Sequence, residues 1–124
     1  MIFTVALKKN NEFIHVYKNG RHYAGKHLYL YMLKGNPDAA ALGVVASKKT
    51  GKSVRRNRLK RLIKENYRFY EEYIRRGFMF IFVVKARQDM HMPEYDEINR
   101  EMKSLLLRAG AFDQQKWEDS RDKA

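Results

Sequence analysis

Seven consecutive residues, Phe78-Met79-Phe80-Ile81-Phe82-Val83-Val84, carry no polar side chain. The run is far shorter than the roughly 20 apolar residues that cross a bilayer, so it has to be hidden inside a soluble fold. As a strand it presents large side chains to both faces of a sheet, which makes it a central strand covered on both sides. The rest of the chain must supply neighbouring strands and the helices that cover them. With 124 residues, 44% of them hydrophobic, there is material for one such domain and little more. Cysteine is absent. That removes disulfide frameworks, thiol catalysis, zinc knuckles and iron–sulfur clusters.

Residues 10–19 predict a short helix, because Phe13, Val16 and Tyr17 recur at i, i+3 and i+4 and Asn19-Gly20 ends the pattern. Over residues 26–33 the period changes to two. Leu28, Leu30 and Met32 point one way, and His27, Tyr29, Tyr31 and Leu33 the other. Gly35-Asn36-Pro37-Asp38 is a turn, and residues 42–46 form a short buried strand. A long helix follows, with Ser53 as N-cap, Arg75 near its end and Gly77 as its stop. Advancing about 100° per residue, its apolar side gathers Leu59, Leu62, Ile63, Phe69, Tyr70, Tyr73 and Ile74, and Lys60, Arg61, Lys64 and Arg68 fall opposite. Pro93 suits the first turn of a last helix that turns Tyr95, Ile98, Met102, Leu105, Leu106 and Ala109 inward and stops at Gly110. Residues 113–124 read as a polar, disordered tail anchored only by Trp117, so the domain proper is 1–112. With one more short strand near residues 22–24, the order α-β-β-β-α-β-α is that of a single α/β sandwich.

The formal net charge is +12, and it is concentrated. Residues 47–64 hold nine basic side chains (Lys48, Lys49, Lys52, Arg55, Arg56, Arg58, Lys60, Arg61, Lys64) and no acid. A disordered basic arm would put the excess at a terminus; here it lies mid-chain on a helix. No acid at i+4 neutralises the run from within. Arginine's forked guanidinium suits phosphate, so the pattern points to a nucleic-acid surface. Residues 1–7 are too short for a signal peptide, and the expected location is the cytoplasm.

Ala46-Ser47-Lys48-Lys49-Thr50-Gly51-Lys52-Ser53 follows a strand and opens a helix, like the phosphate loop of a nucleotide hydrolase. That loop needs Gly where Ala46 stands, and an acid after the next strand where Lys85 stands. The histidines His15, His22, His27 and His91 form no i, i+4 pair and have no acid at ligand spacing, so no metal site is predicted. Asp89, Glu94, Asp96, Glu97 and Glu101 gather around a helix start, where the dipole favours acids. No catalytic residue is assigned to the chain; if it takes part in hydrolysis, the catalyst is elsewhere. Phe13 with Tyr17, and Tyr29 with Tyr31, share a helix side and a strand face. They fit either a packed core or a platform on which unpaired bases stack.

Residues 47–63, with Arg56-Asn57-Arg58 at their centre, resemble the signature of the bacterial ribonuclease P protein component. Leu7-Lys8-Lys9-Asn10-Asn11-Glu12-Phe13, with Tyr17 and Gly20, is similar to that family's first helix. With residues 28–33 included, the likeness extends over about residues 7–110. The resemblance implies an α+β two-layer sandwich like domain 2 of ribosomal protein S5, with a left-handed β-α-β crossover through the basic helix, against the usual right-handed rule. It implies a protein subunit that joins a catalytic RNA and assists magnesium-dependent endonucleolytic removal of the 5′ leader from precursor tRNA. Arg55, Arg56, Asn57, Arg58, Lys60, Arg61 and Lys64 would then bind the RNA subunit. A cleft of Phe13, Tyr17, Tyr29, Tyr31, Lys48 and Lys49 would hold the leader. Magnesium would be held mainly by the RNA, with no organic cofactor. One protein would serve each RNA, with self-association in the absence of RNA left open. The alternative is a non-enzymatic ribosomal or RNA-chaperone protein on the same fold.

Overall fold

Along the chain, the computed structural model, which describes residues 1–89 and 91–122, runs β1 (Thr4–Ala6), α1 (Asn10–Asn19), β2 (Arg21–Ala24), β3 (Leu28–Lys34), β4 (Ala40–Val45), α2 (Ser53–Tyr70), β5 (Phe78–Val84), α3 (Tyr95–Arg108) and α4 (Gln114–Asp122). The apolar run is β5, in the middle of a five-stranded sheet of order β1-β4-β5-β3-β2. It pairs in parallel with β4, Leu42 opposite Phe80, and antiparallel with β3, Leu30 opposite Phe82. The β4–α2–β5 connection therefore links two adjacent parallel strands through the basic helix.

Alternation divides β5 between two cores. Phe80, Phe82 and Val84 join Leu28, Leu30 and Leu42 in the larger one, closed by Leu59, Ile63 and Tyr67 of α2 and by Ile98, Met102 and Leu105 of α3. Ile81 faces the opposite way and meets Leu7 and Val16, with Phe13, Tyr31, Val45, Met79 and Val83 half-buried around them. Two helices thus cover most of one face of the sheet, and the ten-residue α1 covers a smaller part of the other. This is the expected α+β sandwich, with two elements that the sequence reading did not foresee: β1 and α4.

β1 is three residues long and pairs with β4, Thr4 opposite Ala40. The segment is held by the buried Glu71 carboxylate, which accepts the amides of Ile2 (2.7 Å), Phe3 (3.3 Å) and Thr4 (3.1 Å). Burial pushes the Glu71 carboxyl up, but hydrogen bonds from Thr4, Ile2 and Phe3 and the N-terminal ammonium outweigh it and hold the group below its ordinary range. The same residue marks the end of α2. The helix gives way at Tyr70 to a 3-10 turn, Glu71–Tyr73, rather than running on to Arg75. At its other end Lys52 is the extended N-cap residue and Ser53 is already helical. The buried arc of α2 is Leu59, Ile63, Asn66, Tyr67 and Tyr70. Phe69, expected inward, lies about 80° from Leu59 on the side away from Tyr67 and is exposed.

Asn66 is fully buried between α2 and α3. It donates to the Leu62 carbonyl and accepts from Asn99 Nδ2 (2.8 Å), and Asn99 Oδ1 accepts from the Tyr70 hydroxyl (2.7 Å). α3 starts at a capping box formed by Glu94 and Glu97, so Pro93 precedes the helix instead of opening it. Tyr95, expected inward, is exposed in that first turn. Gly110, at φ +66°, ends the helix as expected. Residues 114–122 are helical, not a disordered tail. The Asp113 carboxylate caps the helix through the Lys116 amide (3.1 Å), and the Trp117 ring stacks flat on Phe112 at 4.5 Å.

Candidate nucleic-acid interface

On the half-covered face of the sheet, α1 begins at Lys9 with a capping box to Glu12 and lays Phe13 across β4. The contact depends on Gly43, where a Cβ would stand 2.6 Å from Phe13 Cε1. One turn on, Tyr17 meets Tyr31 edge-on at 4.9 Å, and His22, opposite Tyr31 on β2, lies 5.8 Å from the same ring. Lys85 places its ammonium 4.5 Å above the Tyr29 ring. Phe13, Tyr29 and Tyr31 are half-buried and Tyr17 is exposed, whereas Leu28 and Leu30 on the other face are buried. Phe13 tilts against Tyr17 and Tyr17 stands edge-on to Tyr31, so these rings pack on one another and still keep free surface. Burial, and secondly Tyr31, raise the Tyr17 phenol above its ordinary range, so it remains a hydrogen-bond donor.

Lys48 and Lys49 stand exposed in a 3-10 turn, Lys48–Thr50, that leads from β4 to α2. The turn is no phosphate cradle: the Thr50 amide bonds the Ser47 carbonyl and the Gly51 amide that of Lys48, so both donors are used within the chain.

The predicted RNA-binding residues of α2 divide by angle around the helix. Relative to Leu59, Arg55 and Arg56 fall at about −40° and 60°, inside the inward arc, whereas Asn57, Arg61, Lys64 and Arg68 lie between about 140° and 200°. Arg55 is accordingly engaged within the protein. Its Nε donates to the Thr50 carbonyl (2.8 Å) and its Nη2 to that of His91 (2.7 Å). Arg56 is half-buried, and its shielded Nε has no hydrogen-bond partner among the described residues. Asn57, Arg58, Arg61, Lys64 and Arg68 are exposed and Lys60 is half-buried. The nearest acid is Glu65, 4.0 Å from the Arg61 Nε, with both side chains well solvated. At that distance and exposure the pair offsets little of the stripe's charge.

Sequence reasoning missed His22, Lys85 and Gly43. Lys85 is two residues beyond Val83 and so shares its face, which the alternation could have shown. The contact across β2 and β3 and the ring over Gly43 depend on strand register, which no local pattern carries. Among the described residues, the only grouping of three metal-ligand side chains is His27, His91 and Glu97. It brings His27 from the start of β3 to His91 and Glu97, which are six residues apart, whereas the sequence reading sought only near neighbours.

A family profile described as Ribonuclease P matches residues 3–110. The chain is 42% identical to a ribonuclease P protein component from Clostridium botulinum over 86% of this chain and 95% of that protein. It is 40% identical to one from Clostridioides difficile, over 85% and 91%. Among solved structures, the Staphylococcus aureus RNase P protein superposes with a TM-score of 0.75 at 29% identity, covering 87% of this chain and 97% of the other. The Thermotoga maritima protein gives 0.75 at 25% identity, over 83% and 96%. With matches that span nearly the whole domain, this chain belongs to the ribonuclease P protein family.

Proposed function

We propose that this protein is the subunit that joins a catalytic RNA and helps it remove the 5′ leader of precursor tRNA. The observation that carries the proposal is the pairing of two surfaces: a cationic stripe on α2, acid-free as far as Lys64, and a partly covered aromatic face on the sheet, linked by Lys48 and Lys49. The stripe, with Asn57, Arg58, Lys60, Arg61 and Lys64, binds the RNA subunit through its phosphates. Arg56, half-buried beside the stripe, joins it, and Arg55 positions the helix start from within. The aromatic face takes the leader. Phe13, Tyr17, Tyr29 and Tyr31 stack with unpaired bases, and Lys48, Lys49 and Lys85 meet the backbone. The chain contributes binding and orientation, and the catalytic centre and its magnesium belong mainly to the RNA. One protein serves each RNA, in the cytoplasm. Among the described residues no helix is long and apolar enough to cross a membrane.

The test is reconstitution with a catalytic RNA subunit and a 5′-extended tRNA. Protein alone should leave the precursor intact at every magnesium concentration. Added to the RNA, it should raise cleavage most at low magnesium, where RNA charge is poorly screened. Cleavage by RNA-free protein would overturn the assignment of the chemistry. The absence of any effect on the RNA would overturn the proposal.

A further inference from the structure

We propose that Arg21, Lys34 and Arg75 form a second anchoring site for single-stranded RNA, which takes the phosphates of leader nucleotides lying 5′ of those on the aromatic face. The proposal rests on the reading of that face as the leader's platform. The three cations gather at one end of the sheet. Lys34 closes β3 opposite Phe78, the first residue of β5, and Arg21 opens β2 opposite Met32. Directly opposed residues share a face, as do residues two apart, so Arg21 and Lys34 emerge on one side as diagonal neighbours. Arg75 reaches the same place from the segment before β5. Its guanidinium lies 4.9 Å from the Phe78 ring centroid, and its Nη1 donates to the Gly110 carbonyl (3.2 Å).

The surroundings fit a polyanion. The cations line an open hollow of about 760 Å³, and no carboxylate lines it with them. All three side chains belong to exposed residues, and among the described residues none of them makes an ion pair. Like charges gathered without a counter-charge repel one another, and a bound phosphate chain relieves that repulsion. Ring and carbonyl already hold the Arg75 fork in place, so little of its freedom is lost on binding. Phe78 is half-buried and carries that guanidinium against its ring, which makes this a site for the RNA backbone rather than for stacked bases.

Position identifies the strand that it takes. The hollow opens where the aromatic face ends: Leu33 follows Tyr31 by two residues on the same face, Asn19 follows Tyr17, and Arg21 directly precedes His22. From Phe78 at this end, β5 runs about 20 Å to Val84, and Lys85 comes next. Lys48 and Lys49 follow β4, which is parallel to β5, so they stand at the Lys85 end. That end adjoins the cationic stripe assigned to the RNA subunit, so the scissile end of the leader enters there. A leader long enough to cross the rings leaves the face at Tyr17 and His22 and meets Arg21, Lys34 and Arg75.

The experiment uses the protein assembled with a catalytic RNA subunit, and tRNAs with no leader, with about four and with about sixteen leader nucleotides, the span of single-strand-binding folds. Affinity is read from the concentration dependence of single-turnover cleavage, and for leaderless tRNA from competition, at several salt concentrations. Wild type should bind the long leader more tightly than the short one. Its slope of log affinity against log salt should be steeper by about 2.1 for three added single-strand contacts, so doubling the salt removes about fourfold more affinity. Changing Arg21→Gln, Lys34→Gln and Arg75→Gln together should erase that difference and leave short-leader, leaderless and RNA-subunit binding as in wild type. Arg21→Gln with Lys34→Gln, which leaves the Arg75–Gly110 bond in place, should lower the extra slope by about 1.4. No gain from the long leader in wild type, or an undiminished gain in both variants, would overturn the site. Equal losses for all three tRNAs, or a loss of RNA-subunit binding, would place the patch on other RNA and overturn it too. Failure of the aromatic platform reads differently: the short leader then gives wild type no advantage over leaderless tRNA.

Discussion

Replacing Arg58, Arg61 and Lys64 together by Gln removes three charges from the solvent side of α2 without touching its buried arc. Among the described residues, the only ion pair this breaks is Arg61–Glu65, at 4.0 Å with side chains 71% and 47% exposed. Such a pair contributes about 0–0.5 kcal/mol, so the melting temperature should move by about 2 °C or less. RNA binding should change much more. Each phosphate that the protein no longer neutralises reduces the slope of log affinity against log salt by about 0.7–0.9, and three reduce it by about 2.1–2.7. Between roughly 0.1 and 0.2 M salt, wild type should then lose about four- to sixfold more affinity than the variant. Arg55→Gln is the contrasting change. It breaks the bonds to the Thr50 and His91 carbonyls, at a cost of about 1–3 kcal/mol, or roughly 4–12 °C, and leaves the slope alone. Binding of labelled RNA subunit at four salt concentrations, with melts of each variant, separates the two effects. A wild-type slope in the triple variant would make the stripe a merely solvated surface. A flattened slope with unchanged melting in Arg55→Gln would refute its internal role.

Tyr17→Ala and Tyr31→Ala should each weaken binding of leader-bearing precursor by about 1–3 kcal/mol relative to mature tRNA. Leu30→Ala should instead cost about 2–5 kcal/mol of folding stability, and equal losses for both RNAs in the tyrosine variants would count against a leader platform. The folded-state Glu71 carboxyl lies below its ordinary 4.5, so its stabilisation is complete above that pH and is lost as pH falls through the folded value. Acid titration followed by amide exchange should therefore release Ile2 and Thr4 before β4; simultaneous release would show that Glu71 does not hold the strand. Trp117→Ala should unfold α4 by circular dichroism and leave precursor cleavage intact, since the Trp117 ring packs on Tyr70, Tyr73 and Phe112, none of them assigned to RNA binding. A cleavage defect would draw α4 into the interface.

Local patterns revealed the elements whose side chains repeat at a regular period. The alternation of Leu28, Leu30 and Met32 and the unbroken run of β5 are direct consequences of which faces are covered. β1 escaped notice because its stability comes from Glu71, far along the chain, and α4 because a single tryptophan supplies its anchor. At the candidate site, residue types picked out the surfaces but not which side chains stay in solvent and which are engaged inside the protein. The same wheel that places Lys64 in solvent turns Arg55 inward, and only the folded loop shows that the Thr50 and His91 carbonyls await it. The meeting of His27 with His91 and Glu97 depends on how the start of β3 packs against the β5–α3 connection, which spacing does not encode.

The Asn66–Asn99–Tyr70 chain gives the seam between α2 and α3 a property that an all-apolar seam would lack. Greasy surfaces tolerate sliding, because one methyl group replaces another at little cost. Here a slip of one turn, about 5.4 Å, would strand several shielded amide and hydroxyl groups, at about 1–3 kcal/mol each. The two helices are therefore keyed like a lock with a single notch. α3 packs on the sheet that bears the aromatic rings, and the cations ride on α2. The notch thus helps to set the distance between charge and ring, making the domain a ruler of fixed length between its two proposed RNA surfaces.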